Sequence, residues 1–281
     1  MLKTILVKTL SFSFPKTFAK KGVAFFIAPT RRRQKKYWPG SFNDFACQHL
    51  ICGEYTIPVW TSGNGPAVLL VHGWERDHFA MGGFVRPLLA AGFRVAALDL
   101  PAHGYASGDR APLPNLAQAI KCAAQSLDGP VIIIAHSLGG AMTILADEAY
   151  GLSPRAIALI STPQSAKSYA LAQAQLLGLS QKAIIEMMKG IEQALGESLE
   201  RYRVDRALSS LRPALFVAHA HDDVVVPIQE AHINAAAADA ETLWLPSGGH
   251  NKILANEFLI NRVVNWVVHH HRIQQKSLGQ W

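Results

Sequence analysis

Short apolar runs alternate with helical patterns along most of this chain, and this alternation constrains the fold more than any other feature. Each run is continuous rather than interleaved with polar residues, as expected of a parallel strand that helices cover on both faces. The alternation therefore predicts an α/β fold with a mostly parallel central sheet and right-handed crossovers. The predicted strands are residues 67–71, 93–98, 131–135, 156–160, 214–218 and 241–245.

One long segment interrupts this rhythm. Residues 162–211 contain no strand-like run and repeat apolar residues at helical spacing, so we expect a small helical cap inserted before the next core strand. Outside it, an antiparallel strand over residues 55–60 precedes the parallel strands. The predicted helices cover residues 79–91, 116–127 and 138–150, with one opened by Pro227 and a last one from Ile253 that buries Leu254, Phe258, Leu259, Val263, Trp266 and Val267.

The formal net charge of +7 is concentrated at one end of the chain. Residues 1–36 contain ten Lys or Arg and no Asp or Glu, so the remaining residues are mildly acidic. A nucleic-acid partner is therefore not expected, because the basic charge does not belong to the body of the protein. We predict a basic segment with an amphipathic helix over residues 1–40 and one main domain over residues 41–281.

The helix expected within residues 16–28 has two interpretations. Phe18, Gly22, Phe25 and Phe26 recur at helical spacing and basic residues flank them, which is typical of a helix on an anionic membrane. Residues 16–36 would then make a peripheral membrane contact. The alternative is a helix docked on the body of the protein, and it is favoured because amphipathic stripes usually face protein. No run of residues is long enough to cross a bilayer as a helix.

The three cysteines are Cys47, Cys52 and Cys122, and their spacing indicates no zinc site. A bridge between Cys47 and Cys52 is left open. Their odd and sparse count indicates a reducing compartment, so we expect a cytoplasmic protein. No metal or organic cofactor is expected.

Ser137 follows an unbroken β-branched run and precedes small residues, in the sequence Ile-Ile-Ile-Ala-His-Ser-Leu-Gly-Gly. This is the strand–turn–helix context in which a serine hydroxyl becomes a nucleophile, although serine also caps helices after strands. A serine nucleophile needs a base, and the base needs an orienting acid. Asp222 or Asp223, and then His250 after two glycines, follow in that chain order.

These motifs make residues 50–270 resemble the α/β-hydrolase family, which has a mostly parallel sheet flanked by helices and commonly a small cap. The resemblance implies Ser137 as nucleophile and His250 as general base. It places the acid four residues before the proline of a Val-Pro pair, which favours Asp223 over Asp222. One departure is Ala135, which stands where the elbow of the family usually begins with glycine.

The turn after the strand at residues 67–71 reads His72-Gly73-Trp74. In this family such a turn binds the oxyanion, so the backbone N–H groups of Trp74 and Leu138 are the expected donors. Asp99 lies in another turn of the family and is interpreted as structural, with a second catalytic acid as the less favoured alternative. No further substrate-binding residue is assigned.

The resemblance implies a serine hydrolase that cleaves carboxylic esters of small or medium acyl groups through an acyl-enzyme. The same residues could serve a thioesterase, an acyltransferase or a C–C bond hydrolase. A different class of alternative is a ligand-binding protein that keeps these residues without turnover. The expected partner is a small-molecule ester, and the oligomeric state is not predicted.

Overall fold

The computed structural model describes residues 2–30, 41–129, 131–211 and 213–278, without the side chains of residues 2–5 and 273–278. The strands in this part of the chain are β1 (Ala46–Cys52), β2 (Tyr55–Ser62), β3 (Ala67–Val71), β4 (Arg94–Leu98), β5 (Ile132–His136), β6 (Ala156–Ile160), β7 (Ala214–Ala220) and β8 (Glu241–Leu245). They form one sheet in the order β1-β2-β4-β3-β5-β6-β7-β8. The pairs β1–β2 and β2–β4 are antiparallel and the others are parallel, which confirms the predicted fold class.

Helices cover both faces of this sheet. They are α1 (Leu2–Ser13), α2 (Pro15–Ile27), α3 (Val85–Ala90), α4 (Leu113–Gln125), α5 (Leu138–Tyr150), α6 (Ala166–Leu176), α7 (Gln181–Leu195), α8 (Val204–Leu208), α9 (Ile228–Ala237), α10 (Gly249–Lys252) and α11 (Glu257–Leu278). Successive residues of β3 show why its sequence is continuously apolar. Val68 and Leu70 pack in one core with α11, whereas Leu69 and Val71 pack in a second core with α4 and α5.

The structure differs from the sequence expectation in three elements. The helix expected over residues 79–91 begins as a 3₁₀ helix (His78–Phe84) that contains Gly82 and Gly83, both weak helix formers, and continues as α3. Strand β1 was not predicted because most of its residues are exposed, so it lacks an apolar run. Helix α11 begins only at Glu257, and Phe258 in its first turn is exposed rather than buried.

The segment expected to form a cap contains helices α6, α7 and α8. The residue before α6 and the residue before α8 meet in an isolated bridge between Ser165 and Arg203, at what we call the base of the segment. Glu230 of α9 fastens this base, because its carboxylate accepts hydrogen bonds from the Gln164 N–H at 2.8 Å and the Ser168 hydroxyl at 2.7 Å. Burial raises the pKa of the Glu230 carboxyl. The base of the segment is thus tied to the body of the protein by a buried acidic side chain.

Helix α2 packs along α7 and covers one of its sides. The two helices approach closely at small residues: a Cβ atom at Gly22 would lie 2.4 Å from the Met187 sulfur, and one at Gly190 would lie 2.7 Å from a Val23 methyl carbon. Phe26 is buried in the same contact region. The apolar stripe of α2 therefore faces protein. The basic residues 31–36 that follow it lie outside the described residues.

The cysteines pair differently from the bridge that the sequence left open. Cys52 at the end of β1 forms a disulfide with Cys122 of α4, and Cys47 is an exposed thiol. Residues 70 positions apart in sequence are joined because β1 packs beside α4. This disulfide weighs against the reducing compartment expected from the cysteine count, since such bonds persist in oxidising compartments.

Among the described residues, no helix combines the length and the apolar character needed to cross a bilayer.

Overpacking should weaken the contact between α2 and α7. We expect Gly22→Leu to lower the free energy of unfolding by ~1–3 kcal/mol, because the new side chain has to displace Met187. The matched control is Ala24→Leu on the exposed side of the same helix, which should change stability by only about 0.5 kcal/mol. Urea unfolding midpoints of the two variants measure the difference, and equal midpoints would show that α2 does not pack on α7.

The disulfide predicts the thiol count of the unfolded protein. Under denaturing, non-reducing conditions we expect one titratable thiol per chain, from Cys47, and three after reduction. Closing a loop of this length stabilises a protein by about 4 kcal/mol in the chain-entropy account. Reduction should therefore also lower the thermal midpoint. Three thiols before reduction would contradict the pairing.

Candidate active site

Ser137 occupies the sharp turn between β5 and α5. Its backbone has φ 53° and ψ −128°, a conformation that costs a non-glycine residue on the order of 1–3 kcal/mol. The Ser137 N–H donates to the Ile160 carbonyl at 2.9 Å, which ties the turn to the neighbouring strand β6. Ser137 stands at the N-cap position of α5, but its side chain makes no helix-capping hydrogen bond.

Glycines allow the chain to pack tightly around this turn. A Cβ atom at Gly73 would lie 2.9 Å from the Ser137 Cβ, and one at Gly139 would lie 2.1 Å from the His72 carbonyl oxygen. The turn that follows β3 therefore lies directly against Ser137 and the start of α5. Ala135, where the family usually has glycine, is fully buried in β5 and its methyl group is accommodated there.

His250 links Ser137 to Asp223. The His250 Nε2 atom lies 2.8 Å from the Ser137 Oγ, and its Nδ1 atom lies 2.8 Å from an Asp223 carboxylate oxygen. In the neutral tautomer that fits these contacts, Nδ1–H donates to the carboxylate and Nε2 accepts from the serine hydroxyl. The structure thus brings together three side chains that are 27 and 113 residues apart in sequence.

The Asp223 carboxylate is buried and accepts hydrogen bonds from several donors. Besides His250, the backbone N–H groups of Val225 and Val226 donate to it at 2.8 and 3.0 Å. Burial by itself raises the pKa of the Asp223 carboxyl, but hydrogen bonds from His219 and His250 outweigh it and hold that pKa well below its usual range. Asp223 is therefore a carboxylate, able to orient an imidazole and to stabilise its protonated form.

Two histidines that sequence reasoning did not assign support this arrangement. His219 of β7 is buried, and its Nε2 atom donates to the Val226 carbonyl at 2.8 Å while lying 3.3 Å from the Asp223 carboxylate. His136 donates from Nε2 to the backbone carbonyl of His250 at 2.8 Å. Burial lowers the pKa of His136 well below its usual value, so its ring is neutral.

The loop that carries His250 depends on glycine and on Asp222. Gly248 and Gly249 have φ values of 147° and 54°, which favour glycine. The exposed Asp222 carboxylate accepts a hydrogen bond from the Gly249 N–H at 2.7 Å. Asp222 thus supports the loop, whereas its neighbour Asp223 contacts the imidazole.

The expected oxyanion donors lie on the two turns that meet at Ser137. Leu138 is the first residue of α5, and the first N–H groups of a helix have no partner within it. Trp74 follows Gly73, and its ring is buried edge-on to His103 with centroids 5.0 Å apart. His72 fixes this turn by accepting a hydrogen bond from the Leu100 N–H at 3.0 Å. The catalytic role of these N–H groups remains a prediction.

Asp99 makes structural contacts. Its carboxylate accepts hydrogen bonds from the His78 backbone at 2.8 Å and ring at 2.9 Å, and from the Tyr105 N–H at 2.8 Å. These contacts agree with the structural interpretation of Asp99. In the described part of the chain, no group of three or more His, Cys, Asp or Glu side chains could hold a metal ion.

Known proteins resemble this chain in sequence and in structure. It is 29% identical over 243 residues to a pimeloyl-[acyl-carrier protein] methyl ester esterase of Xanthomonas campestris pv. campestris, which covers 69% of this chain and 91% of that protein. That name agrees with the predicted class of enzyme, a hydrolase acting on ester bonds.

Among solved structures, an esterase of Pyrococcus furiosus superposes with a TM-score of 0.66 at 16% identity, over 88% of this chain and 97% of that one. The thioesterase domain from the curacin biosynthetic pathway superposes with a TM-score of 0.59 at 18% identity, over 79% and 99%. These similarities show the fold.

The sequence also matches a family model. The model of the alpha/beta hydrolase family matches residues 68–259, which include Ser137, Asp223 and His250. The match covers more than half of the chain and agrees with the sheet order, the turn at Ser137 and the superposed structures. The chain belongs to the alpha/beta hydrolase family.

Proposed function

We propose that this protein is a serine esterase that hydrolyses carboxylic esters of small or medium acyl groups through an acyl-enzyme. The observation that carries this proposal is the hydrogen-bonded chain from the Asp223 carboxylate through the His250 ring to the Ser137 hydroxyl. A serine hydroxyl is a weak nucleophile unless a neighbouring base accepts its proton. In this proposal His250 is that base, and Asp223 is the acid that orients it.

The reaction follows from the roles of these groups. As the Ser137 Oγ attacks the ester carbonyl carbon, its proton passes to His250 Nε2, and the carbonyl oxygen becomes negatively charged. The backbone N–H groups of Trp74 and Leu138 donate hydrogen bonds to that oxygen. His250 then protonates the departing alcohol oxygen, and the C–O bond of the ester breaks. Water repeats the sequence on the acyl-enzyme and releases the acid and free Ser137.

Two observations support the proposed substrate class. Helices α6 and α7 are inserted between β6 and β7, at the carboxyl edge of the sheet where Ser137 lies. We expect this insertion to enclose a small substrate rather than to leave a wide groove for lipid chains. The relative from Xanthomonas is named for a methyl ester, which supports a small alcohol as the leaving group. We therefore propose soluble esters with short or medium acyl chains.

A series of p-nitrophenyl esters tests both the reaction and the preferred acyl size. The acyl chains of the series lengthen from two to sixteen carbons in about seven increments, and kcat/KM is measured for each ester. We expect the largest kcat/KM at short or medium lengths, and Ser137→Ala should lower kcat by roughly 10⁴-fold or more with the fold retained. A fluorophosphonate should label wild type and not this variant. A maximum at the longest chain would refute the acyl size, and wild-type activity in Ser137→Ala would refute the nucleophile.

The same assay separates the alternative reactions. Wild type incubated with an ester and an added alcohol or thiol should release free acid rather than a new ester or thioester. A thioester hydrolysed with a clearly larger kcat/KM than its oxygen ester would identify a thioesterase. Labelling by the fluorophosphonate without turnover of any ester would identify a ligand-binding protein.

Asp223→Asn and Asp222→Asn form a matched pair on adjacent residues. Asparagine at position 223 favours the wrong tautomer of His250, so we expect a loss in kcat of about 10³–10⁴-fold. Asparagine at position 222 can still accept the hydrogen bond from Gly249, so its loss should stay below about tenfold. The kcat values of both variants measure this difference. Equal losses, or a larger loss at position 222, would contradict the proposed acid.

Fewer side chains within residues 16–36 are available for the proposed membrane contact than the sequence indicated. Gly22 and Phe26 of the apolar stripe are buried, and the exposed cationic side chains of α2 are Lys16, Lys20 and Lys21. We retain an anionic membrane as the partner of the N-terminal segment, supported by its basic charge.

A further inference from the structure

Exposed apolar side chains collect where α1 meets the cap helices. The contact is defined by the Ser180 N–H, which donates to the Ser11 hydroxyl at 2.8 Å, and by the Lys182 ammonium, 4.2 Å from the centre of the Phe12 ring. Leu176 is the last residue of α6, and Leu177 follows it in the turn that leads to Ser180 and α7. We call this region the α1–cap surface. Its exposed apolar residues are Leu6, Leu10, Phe12, Phe14, Leu176 and Leu177.

Leu6 and Leu10 lie one helical turn apart on one side of α1, and both are exposed. Phe14, four residues after Leu10, is exposed at the junction between α1 and α2. Ser11, which contacts α7, is buried, whereas Leu6 and Phe14 are 58% and 60% exposed. Single exposed apolar residues are ordinary, but a continuous group of them marks an interaction surface.

The positive charge of the helices that form this surface favours an anionic partner. Helices α1 and α2 carry Lys3, Lys8, Lys16, Lys20 and Lys21 and no acidic residue, and Lys182 of α7 adds a further positive charge. The acidic side chain nearest to Lys182 along α7 is Glu186, which pairs with Lys189 at 3.4 Å. Exposed Leu and Phe on helices that carry several lysines and no acidic residue form the pattern of an interfacial helix on anionic lipid.

We propose that the α1–cap surface docks on an anionic phospholipid bilayer. Leu6, Leu10 and Phe14 enter the headgroup region, and the surrounding lysines contact lipid phosphates. This inference rests on the membrane contact given under the proposed function and extends it from residues 16–36 to α1 and the end of α6, but it does not require the proposed reaction. Docking lays the outer side of the cap against the membrane.

Co-sedimentation with vesicles tests the docking on the full chain. Wild type should bind phosphatidylcholine vesicles that contain about 30% phosphatidylglycerol, and bind pure phosphatidylcholine at least about tenfold more weakly. Raising the salt to about 0.5 M should reduce the binding, because the screening length shortens. Leu10→Asp/Phe14→Asp should lower partitioning at least about tenfold. The matched control is Phe258→Asp, since Phe258 is 59% exposed on α11, and this variant should bind like wild type.

Further variants distinguish a loss of membrane binding from misfolding and from a loss of the proposed reaction. Lys8→Glu/Lys16→Glu changes only exposed lysines, so it should fold, hydrolyse soluble esters and bind anionic vesicles at least about tenfold more weakly. Ser137→Ala should bind vesicles like wild type, so a failure of the proposed reaction leaves this result unaffected. Equal binding to neutral and anionic vesicles, no binding, or an equal loss in Phe258→Asp would overturn the proposal. Self-association abolished by Leu10→Asp/Phe14→Asp would instead identify a second copy as the partner.

Discussion

Close backbone approach at the carboxyl edge of the sheet is the constraint on which the site depends. The turn after β3, the turn after β5 and Thr162, the second residue after β6, approach each other closely, and Gly73, Gly139 and Gly140 stand at the contacts. A side chain at Gly140 would collide with Thr162, which opens the inserted segment. The strained serine, the expected oxyanion turn and the segment expected to form the cap, called the cap below, therefore share one densely packed junction.

The buried carboxylate of Asp223 contributes to the stability of the fold as well as to the candidate site. Its pKa is lower in the folded protein than in the unfolded chain, so its ionised form favours folding. That contribution is present above the unfolded value of about 3.9 and is lost as the pH falls towards the folded value. His219 of β7 lies 3.3 Å from the same carboxylate oxygen that contacts His250, so Asp223 has a second imidazole contact that does not depend on the loop of His250.

The pattern of neighbouring residues was sufficient to predict an element when most of the residues of that element are buried. Strands such as β3 could be predicted because both of their faces are buried, whereas β1 could not, because it is an exposed edge. Ser137 and His250 were recognisable from the small residues beside them. His136 was not, because its partner is the carbonyl of a residue 114 positions away. The Cys52–Cys122 pair likewise depends on how β1 packs beside α4, which no spacing rule encodes.

The attachment of the cap has a consequence for the step that limits the rate of turnover. Glu230 fastens the base of the cap to α9, and α2 lies along α7, so two separate contacts resist a hinged swing. Hinge motions of lids take microseconds to milliseconds, whereas side-chain rotations take picoseconds to nanoseconds. With the cap so restrained, substrate entry is expected to depend on the faster motions of individual side chains. Steps at the carbonyl carbon, rather than opening of the cap, would then set the rate of turnover.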